Sequence, residues 1–200
     1  MITTIASMEE PRRPGRPRDT TIDGRALAAT RELLVEVGFE ATTIQAAAER
    51  SGVHASALYR RWPSRIEMIE EAVFPGLNPL GVQPTGDLRR DLRRFIRAYL
   101  SAFSAPASRA ATAGLLSHHH TFSRTRPPDF YQRVSARPQL KEILEAAPSE
   151  SVDPTIDTDD VFDLLLGVIL TRTLLGHVIP RHAPLEHIIE LLMRAVRPLA

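Results

Sequence analysis

Apolar residues recur at helical spacing along most of this chain, and one clear stripe runs through residues 26–37. No segment alternates apolar and polar side chains in the way that a half-buried strand does. Pro138 is expected to kink or split the helix around it, and Pro184 suits the first turn of the last helix. The pattern predicts an all-α fold with helices at about 20–37, 43–50, 54–61, 64–74, 87–103, 107–117, 128–146, 158–176 and 184–197.

Proline and glycine concentrate in residues 75–84, which predicts a domain junction there. A basic, proline-rich stretch at residues 1–19 precedes the first helix and is expected to be disordered in the absence of DNA. The chain therefore divides into an arm, an N-terminal domain at residues 20–74 and a C-terminal domain at residues 75–200.

The stretch Ala41–Trp62 has the pattern of two short helices joined by a glycine turn. Thr42 or Thr43 can cap the first helix, and Gly52 stands where the chain must reverse with a positive φ. Val53 supplies part of the buried side of the second helix. This layout is typical of a helix-turn-helix, whose second helix enters the DNA major groove. The outward side of that second helix carries Ala55, Ser56, Tyr59 and Arg60.

The wider context resembles the N-terminal domain of the tetracycline-repressor (TetR) family of bacterial transcription regulators. The departures are His54, which replaces the usual serine, and Ser56-Ala57, where glycine and threonine are frequent. The resemblance implies a homodimeric regulator of transcription, most often a repressor, that a small molecule releases from a palindromic operator. The residues that carry it are Gly38-Phe39, Thr43-Ile44, Gly52-Val53, Leu58-Tyr59, Trp62-Pro-Ser-Arg65, Glu67, Met68 and Ile69.

The resemblance also implies roles for individual residues at the DNA. It implies that base edges are contacted by Gln45, Ala55, Ser56 and Arg60. It implies that phosphates are contacted by Thr43, Tyr59, Arg61 and Arg65. An arginine such as Arg60 can hold guanine through O6 and N7, which is worth about 1–3 kcal/mol of discrimination.

The arm carries a cluster of arginines around a Gly-Arg-Pro sequence. It resembles the core of an AT-hook, although Pro14 precedes the glycine where an arginine is usual. An extended basic arm suits the narrow minor groove of A/T-rich DNA, where the negative potential is enhanced. The alternative is a solvated tail. The arginines concerned are Arg12, Arg13, Arg16 and Arg18.

In the family, the C-terminal domain holds an effector pocket and the dimer interface. An apolar or aromatic effector suits the aromatic content here, with His119 or Arg172 as a polar anchor. The alternative for each lining residue is ordinary core packing. The apolar faces predict a pocket lined by Phe95, Tyr99, Phe103, His119, Phe122, Phe130, Tyr131, Phe162 and Leu166.

The last two helices carry more apolar residues than one buried face each requires, which predicts a four-helix bundle between two protomers. A glycine within the first of them permits close approach of the partner helix. The predicted interface comprises Leu164, Leu165, Gly167, Val168, Leu175, Ile188, Leu191, Leu192 and Ala195.

Catalytic and metal chemistry have little support in this sequence. It contains no cysteine, and no nucleophile elbow, HExxH, P-loop or dinucleotide fingerprint. His118, His119 and His120 are consecutive, so on a helix they point about 100° apart and cannot all face one ion. We therefore predict no catalytic residue, no metal and no cofactor.

The formal net charge is only +1, so the chain as a whole is not a polycation, and its basic character is local, as in the arginine cluster of the arm. An apolar signal core is absent from the N-terminal segment, and charged residues interrupt the longest apolar run. We expect a cytoplasmic, nucleoid-associated protein. Two alternatives stay open: a constitutive or structural DNA-binding protein without effector, and a helical enzyme or scaffold.

Overall fold

The computed structural model describes residues 20–74, 81–122, 135–176, 178–179 and 184–198. Within them the chain is helical and has no strand, as the hydrophobic pattern predicts. No helix in these ranges is long and apolar enough to cross a membrane. The helices are α1 (Thr20–Glu36), α2 (Gly38–Ala41), α3 (Ile44–Ser51), α4 (Ala55–Tyr59), α5 (Arg65–Val73), α6 (Leu88–Ser104), α7 (Pro106–Phe122), α8 (Arg137–Glu145), α9 (Thr158–Leu174) and α10 (Leu185–Ala195).

The N-terminal helices share a small core in which α1 packs on α3. The predicted start and end signals of α3 are both present. The Thr43 hydroxyl accepts a hydrogen bond from the Ala46 amide at 3.0 Å, and Gly52 ends the helix at φ 65°. Leu58 and Trp62 close this core from the far side of the turn. The two short helices therefore keep a fixed relation to α1.

The four-residue helix α2 was not predicted from the sequence. Gly38 has φ 80°, which turns the chain sharply after α1 and suits glycine because it lacks a Cβ atom. One helical turn follows, and the buried Thr42 side chain closes it by donating a hydrogen bond to the Gly38 carbonyl at 2.8 Å. The turn places Phe39 against Gly114 of α7 and against the apolar cluster that contains Leu34 of α1.

The C-terminal helices surround α6, whose apolar side faces α8, α9 and α10. Helix α7 has a different role, because it packs on α1, α2 and α5 as well as on α6 and α9. Its alanines meet α1 and α5 in a separate apolar cluster, which consists of Leu34, Ile66, Ile69, Val73, Ala107, Ala111 and Leu115. Helix α7 thus joins the two halves of the molecule.

Several predicted helix limits need correction. Helix α7 continues to Phe122 instead of ending near residue 117, since no breaker interrupts its C-terminal half. Pro138 lies in the first turn of α8 and neither kinks nor splits it, because a proline there costs no hydrogen bond. Residues 128–134 of that predicted helix lie outside the described residues. Pro184 is the N-cap of α10 and precedes its first turn.

The chain that leads into α6 is fixed to it by a buried carboxylate. Asp91 accepts hydrogen bonds from the Thr85 amide at 2.6 Å and from the Thr85 hydroxyl at 2.8 Å. The buried Gln139 side chain donates to the Val82 carbonyl at 3.2 Å. Residues 82–85 of the predicted junction are therefore attached to the C-terminal domain, and residues 75–80 lie outside the described ranges.

The arginine face of α6 binds α10 through two ion pairs. Arg93 makes a two-pronged contact with Glu186 at 2.9 and 2.7 Å, and Arg89 lies 2.5 Å from Glu190. Hydrogen bonds from these guanidinium groups lower the pKa of both glutamates. The pairs therefore stabilise the folded chain above the ordinary glutamate pKa, and this stabilisation is lost as the pH falls through the lowered values.

We expect Arg93→Ala to lower the Tm modestly at neutral pH, because the pair is exposed to solvent. The difference in Tm from the wild type should shrink as the pH falls below the usual glutamate range, since protonated Glu186 no longer attracts Arg93. Thermal unfolding followed by circular dichroism from pH 7 to pH 3 measures this. Arg90→Ala is the matched control, because no ion-pair partner of Arg90 is found among the described residues; a parallel pH trend in both variants would contradict the assignment.

Candidate DNA-binding interface

The outward side of α4 presents a compact set of exposed polar groups. Ser56, Tyr59 and Arg60 are exposed, and Tyr59 shows 55% of its surface to solvent. Leu58 is fully buried on the opposite side, and Ala55 is half-buried. An exposed tyrosine beside an exposed arginine on a short helix suits contact with a polar, negatively charged partner.

Two further predicted DNA contacts lie at the start of α3. Gln45 is exposed and donates a hydrogen bond to Glu49 at 3.2 Å, a surface contact that DNA can replace. The Thr43 hydroxyl oxygen accepts from the Ala46 amide, so its own O–H remains able to donate to a phosphate. One hydroxyl can therefore cap α3 and contact the DNA backbone.

Arg60, Arg61 and Arg65 have different environments, although the sequence suggests contacts with DNA for all three. Arg60 is exposed, whereas the half-buried Arg61 forms an ion pair with Asp23 of α1. Arg65 donates to the Phe39 carbonyl at 2.8 Å and to the Glu40 carboxylate at 3.0 Å. The guanidinium groups of Arg61 and Arg65 are thus engaged with protein partners. Arg60 is the arginine best placed to reach a base.

The sequence singles out His54 as a departure from the family and Trp62 as part of its pattern, without specifying their contacts. His54 is the N-cap residue of α4 and is exposed, with no hydrogen bond from its side chain to the helix. Trp62 follows α4 and donates its indole N–H to the Glu71 carboxylate of α5 at 2.7 Å. The buried indole fixes α4 to α5. The sequence signal for this contact is a tryptophan with a glutamate nine residues later, since a buried indole N–H needs an acceptor.

Four of the aromatic residues predicted for a pocket, Phe95, Tyr99, Phe103 and Phe162, lie together in the C-terminal core. Tyr99 is central, with its ring centroid 5.8 Å from Phe95, 5.1 Å from Phe103 and 5.8 Å from Phe162. All four rings are buried, and Leu166 packs against the same cluster. Phe130 and Tyr131 lie outside the described residues, as does the side chain of Phe122.

The Tyr99 hydroxyl is the polar group within this apolar cluster. Burial raises its pKa above the ordinary tyrosine value, and the positive charge of Arg137 offsets only part of that effect. The Arg137 guanidinium lies 4.4 Å from the centre of the Phe162 ring.

His119 does not join the aromatic cluster. Its Nε2 atom lies 2.6 Å from a carboxylate oxygen of Glu70, which places it between α7 and α5. In this structure the His119 side chain contacts α5 of the N-terminal domain, and its role as a pocket residue stays a prediction. No group of three potential metal ligands occurs within the described parts of the chain.

The residues predicted for a dimer interface separate into two sets. Leu165, Ile188 and Leu192 are buried in the protomer's own core, so their place in an interface stays a prediction. Consecutive helical residues point about 100° apart, so Leu165 can face inward while Leu164 faces solvent. The second set lies at the surface or half-buried, and comprises Leu164, Gly167, Val168, Leu175, Leu191 and Ala195.

All of that second set except Leu175, the C-cap of α9, lies on α9 or α10, and both helices pack on α6. Leu164 and Leu191 are each 63% exposed. A Cβ atom added at Gly167 would meet nothing within 4 Å, so another helix has room to approach. Exposed leucines beside an open glycine are typical of a surface that a partner covers.

Comparison with known proteins decides the family. Residues 26–72 match the model described as "Bacterial regulatory proteins, tetR family". Residues 82–192 match "Tetracyclin repressor-like, C-terminal domain". This chain belongs to the TetR family.

Relatives of this TetR-family protein include an uncharacterized HTH-type transcriptional regulator of Mycobacterium tuberculosis. The two are 27% identical over 195 residues, which is 96% of this chain and 92% of the relative. The uncharacterized regulator YdeS of Bacillus subtilis is 33% identical over 78 residues, covering 38% of this chain and 39% of its own.

Solved structures share the fold. A TetR-family regulator from Vibrio parahaemolyticus has a TM-score of 0.59 at 16% identity, covering 89% of this chain and all of its own. The flavonoid-responsive regulator FrrA has a TM-score of 0.56 at 20% identity, covering 90% of this chain and all of its own.

The TetR family assignment fixes the class of activity. The protein is a DNA-binding regulator of transcription, with α3 and α4 as its helix-turn-helix. It is not an enzyme, and the helical-enzyme alternative is excluded by the family, whose members regulate transcription. The basic arm, with Arg12, Arg13, Arg16 and Arg18, lies outside the described residues, so its role stays a prediction.

Proposed function

We propose that this TetR-family regulator binds a pseudo-palindromic operator as a homodimer, represses transcription there, and leaves the DNA when a small molecule binds its C-terminal domain. The observation that carries the proposal is the exposed, braced side of α4. Ser56, Tyr59 and Arg60 face outward, while Leu58 is buried and Trp62 fixes α4 to α5. Such a regulator acts on the nucleoid in the cytoplasm.

Helix α4 enters the major groove in this proposal. Arg60 reaches a guanine, and Gln45 and Ser56 contact neighbouring base edges beside the small side chain of Ala55. The hydroxyls of Thr43 and Tyr59 bind phosphates, which set the position of the domain without reading sequence. Arg61 and Arg65 support this surface mainly through their protein partners.

A two-fold dimer presents two copies of α4, so the operator contains two half-sites related by the same symmetry. The exposed apolar surface of α9 and α10 provides the contact between protomers. Leu164 and Leu191 lie on it, and Gly167 allows close approach of the partner helices. The four helices then form the bundle that closes the dimer.

Selection from a random duplex pool tests the DNA-binding part. We expect enrichment of a pseudo-palindrome whose affinity falls steeply with salt, because bound phosphates release counterions.

Deletion of residues 1–18 should weaken binding, flatten the salt slope and reduce any preference for A/T flanks, because arm arginines leave the minor groove. The core motif should not change. Failure to enrich any motif would exclude the proposed function, and an unchanged slope would make the arm a solvated tail.

The effector proposal relies on the aromatic cluster around Tyr99. Phe95, Phe103 and Phe162 provide flat apolar surfaces, and the Tyr99 hydroxyl offers one directional polar contact. A planar aromatic molecule with a hydrogen-bond acceptor satisfies both features. The flavonoid-responsive regulator of the same fold makes a planar flavonoid, a flavone, a suitable first probe. A ligand that weakens DNA binding must itself bind less tightly to the DNA complex.

We expect Tyr99→Phe to weaken the binding of such aromatic probes by about fivefold, the effect of one lost hydrogen bond. The Tm of the free protein should change little, because phenylalanine keeps the ring and its packing against Phe95, Phe103 and Phe162. Thermal shifts with a panel of planar aromatic molecules, including a flavone, measure both effects. Tyr59→Phe is the matched control, since Tyr59 lies on α4 and should not alter probe binding.

Two outcomes would contradict this assignment. A drop in Tm of more than a few degrees in Tyr99→Phe would mean that the hydroxyl is bonded within the core. Absence of any thermal shift in the wild type across the panel would favour the alternative of a DNA-binding protein without effector.

A further inference from the structure

The ring of Phe39 lies in a gap that only a glycine leaves open. Phe39 is on α2 and Gly114 is on α7. Three ring carbons, Cδ1, Cγ and Cε1, lie within 2.6 Å of the position that a Cβ atom on residue 114 would occupy. Real Cβ atoms do not approach other atoms so closely, so any side chain at position 114 must displace the ring. A glycine in the middle of a helix is otherwise unfavourable. Here the absence of a side chain makes room for the Phe39 ring.

Arg65 holds the same ring through contacts of its own. Its guanidinium carbon lies 4.8 Å from the centre of the Phe39 ring, within the range of a cation–π contact. It also donates to the Phe39 carbonyl at 2.8 Å and reaches the Glu40 carboxylate at 3.0 Å. Phe39 is therefore held by a side chain of α5 and by the backbone surface of α7. We call these three residues, Phe39, Arg65 and Gly114, the α2 wedge.

The wedge connects two parts of the molecule that have different tasks. Helix α7 packs on α6 and α9 and so belongs to the domain that carries the proposed dimer surface. Helix α2 is separated from α3 by Thr42 and Thr43 alone, and Thr43 is the N-cap of α3. A shift of the Phe39 ring would therefore move the helix-turn-helix relative to the dimer surface.

We propose that the α2 wedge sets the spacing of the two operator half-sites that the dimer accepts. The separation of the two copies of α4 depends on the angle between each helix-turn-helix and its own C-terminal domain. The wedge adjusts that angle beside the apolar cluster that joins α7 to α1 and α5. Gly114 and Arg65 are positioning residues in this view, acting through Phe39 without touching a base. The inference rests on the proposed two-fold binding to a pseudo-palindrome.

Duplexes with identical half-sites and a spacer lengthened or shortened by one base pair test the proposal. Each such change rotates one half-site by about 35° around the DNA axis. We expect the wild type to bind the altered duplexes about tenfold more weakly, the effect of one poorly matched base pair. For Gly114→Ala, the affinities for the original and altered spacers should differ by less than about threefold, or a different spacer should be preferred. The half-site consensus of this variant should stay the same.

Gly24→Ala is the matched control, because a Cβ atom at this helical glycine would meet nothing within 4 Å. We expect it to raise the Tm by about 2–4 °C through helix propensity and to keep the wild-type spacing preference. Gly114→Ala should lower the Tm instead. In a Phe39→Ala background the same change should no longer lower it, because the ring that obstructs the Cβ atom is gone.

Phe39→Leu gives a second route if Gly114→Ala folds poorly, since it removes the ring and keeps an apolar side chain. It too should broaden the spacing preference. Spacing profiles of Gly114→Ala and Phe39→Leu that superimpose on the wild-type profile would overturn the proposal. Failure of the wild type to select any palindrome would instead refute the proposed function, so the two failures are distinguishable.

Discussion

Leu191→Glu should convert the protein into monomers that bind the operator about 10²–10⁴-fold more weakly, because the second half-site is no longer held nearby. Leu191 is 63% exposed in the protomer, so glutamate there should leave the fold intact. In the proposed bundle, the same carboxylate would be buried without a partner, which costs several kcal/mol. Multi-angle light scattering at micromolar concentration, together with operator binding, measures both effects.

Val35→Glu is the control for oligomeric state, because Val35 is also a largely exposed apolar residue but lies on α1. It should leave the dimer intact. Leu164→Glu, on the other helix of the surface, should repeat the effect of Leu191→Glu. A wild-type protein that is monomeric under these conditions would contradict the interface.

Arg60→Ala should reduce affinity for the selected operator by about 5- to 150-fold and relax the preference at one base-pair position. The Tm should hardly change, since Arg60 is exposed. Arg61→Ala should instead lower stability more than base preference, because it removes the ion pair with the partly buried Asp23. We expect its Tm to fall by about 2–8 °C while its base preference is retained.

Affinity measured over a set of single-base operator variants, next to thermal unfolding, separates these two profiles. Arg60→Lys completes the comparison, since lysine keeps the charge but lacks the two-pronged geometry that reads guanine. If Arg60→Ala lowered affinity equally for all variants, Arg60 would be a phosphate contact and a base would be read by another residue.

Features encoded by neighbouring residues could be predicted from the sequence. Thr43 caps α3, Ser64 caps α5 and Asp157 caps α9, and each hydrogen bond joins residues two or three positions apart. The left-handed conformation of Gly52 follows from the same local logic. The helix-turn-helix could be recognised from the family resemblance because the pattern of that motif consists of such local signals.

Features that depend on distant helices could not be predicted. Whether an arginine faces DNA or protein depends on Asp23 for Arg61 and on Glu40 for Arg65, and neither partner is evident from sequence spacing. The direction of His119 depends on how α7 lies on α5. The apolar composition of α9 predicts that more than one of its sides is covered. It does not show that Leu165 is buried and Leu164 exposed, because that difference depends on how α9 packs on α6.

Helix α4 has only five residues, which is too short to be stable in isolation. Its conformation depends on Leu58 in the core and on Trp62 held by Glu71, and these anchors lie away from the outward side chains. Ser56, Tyr59 and Arg60 can therefore be exchanged at little cost to the stability of the domain. A regulator built this way can be retargeted to a new operator by a few substitutions on α4, while its dimer surface and effector domain are kept.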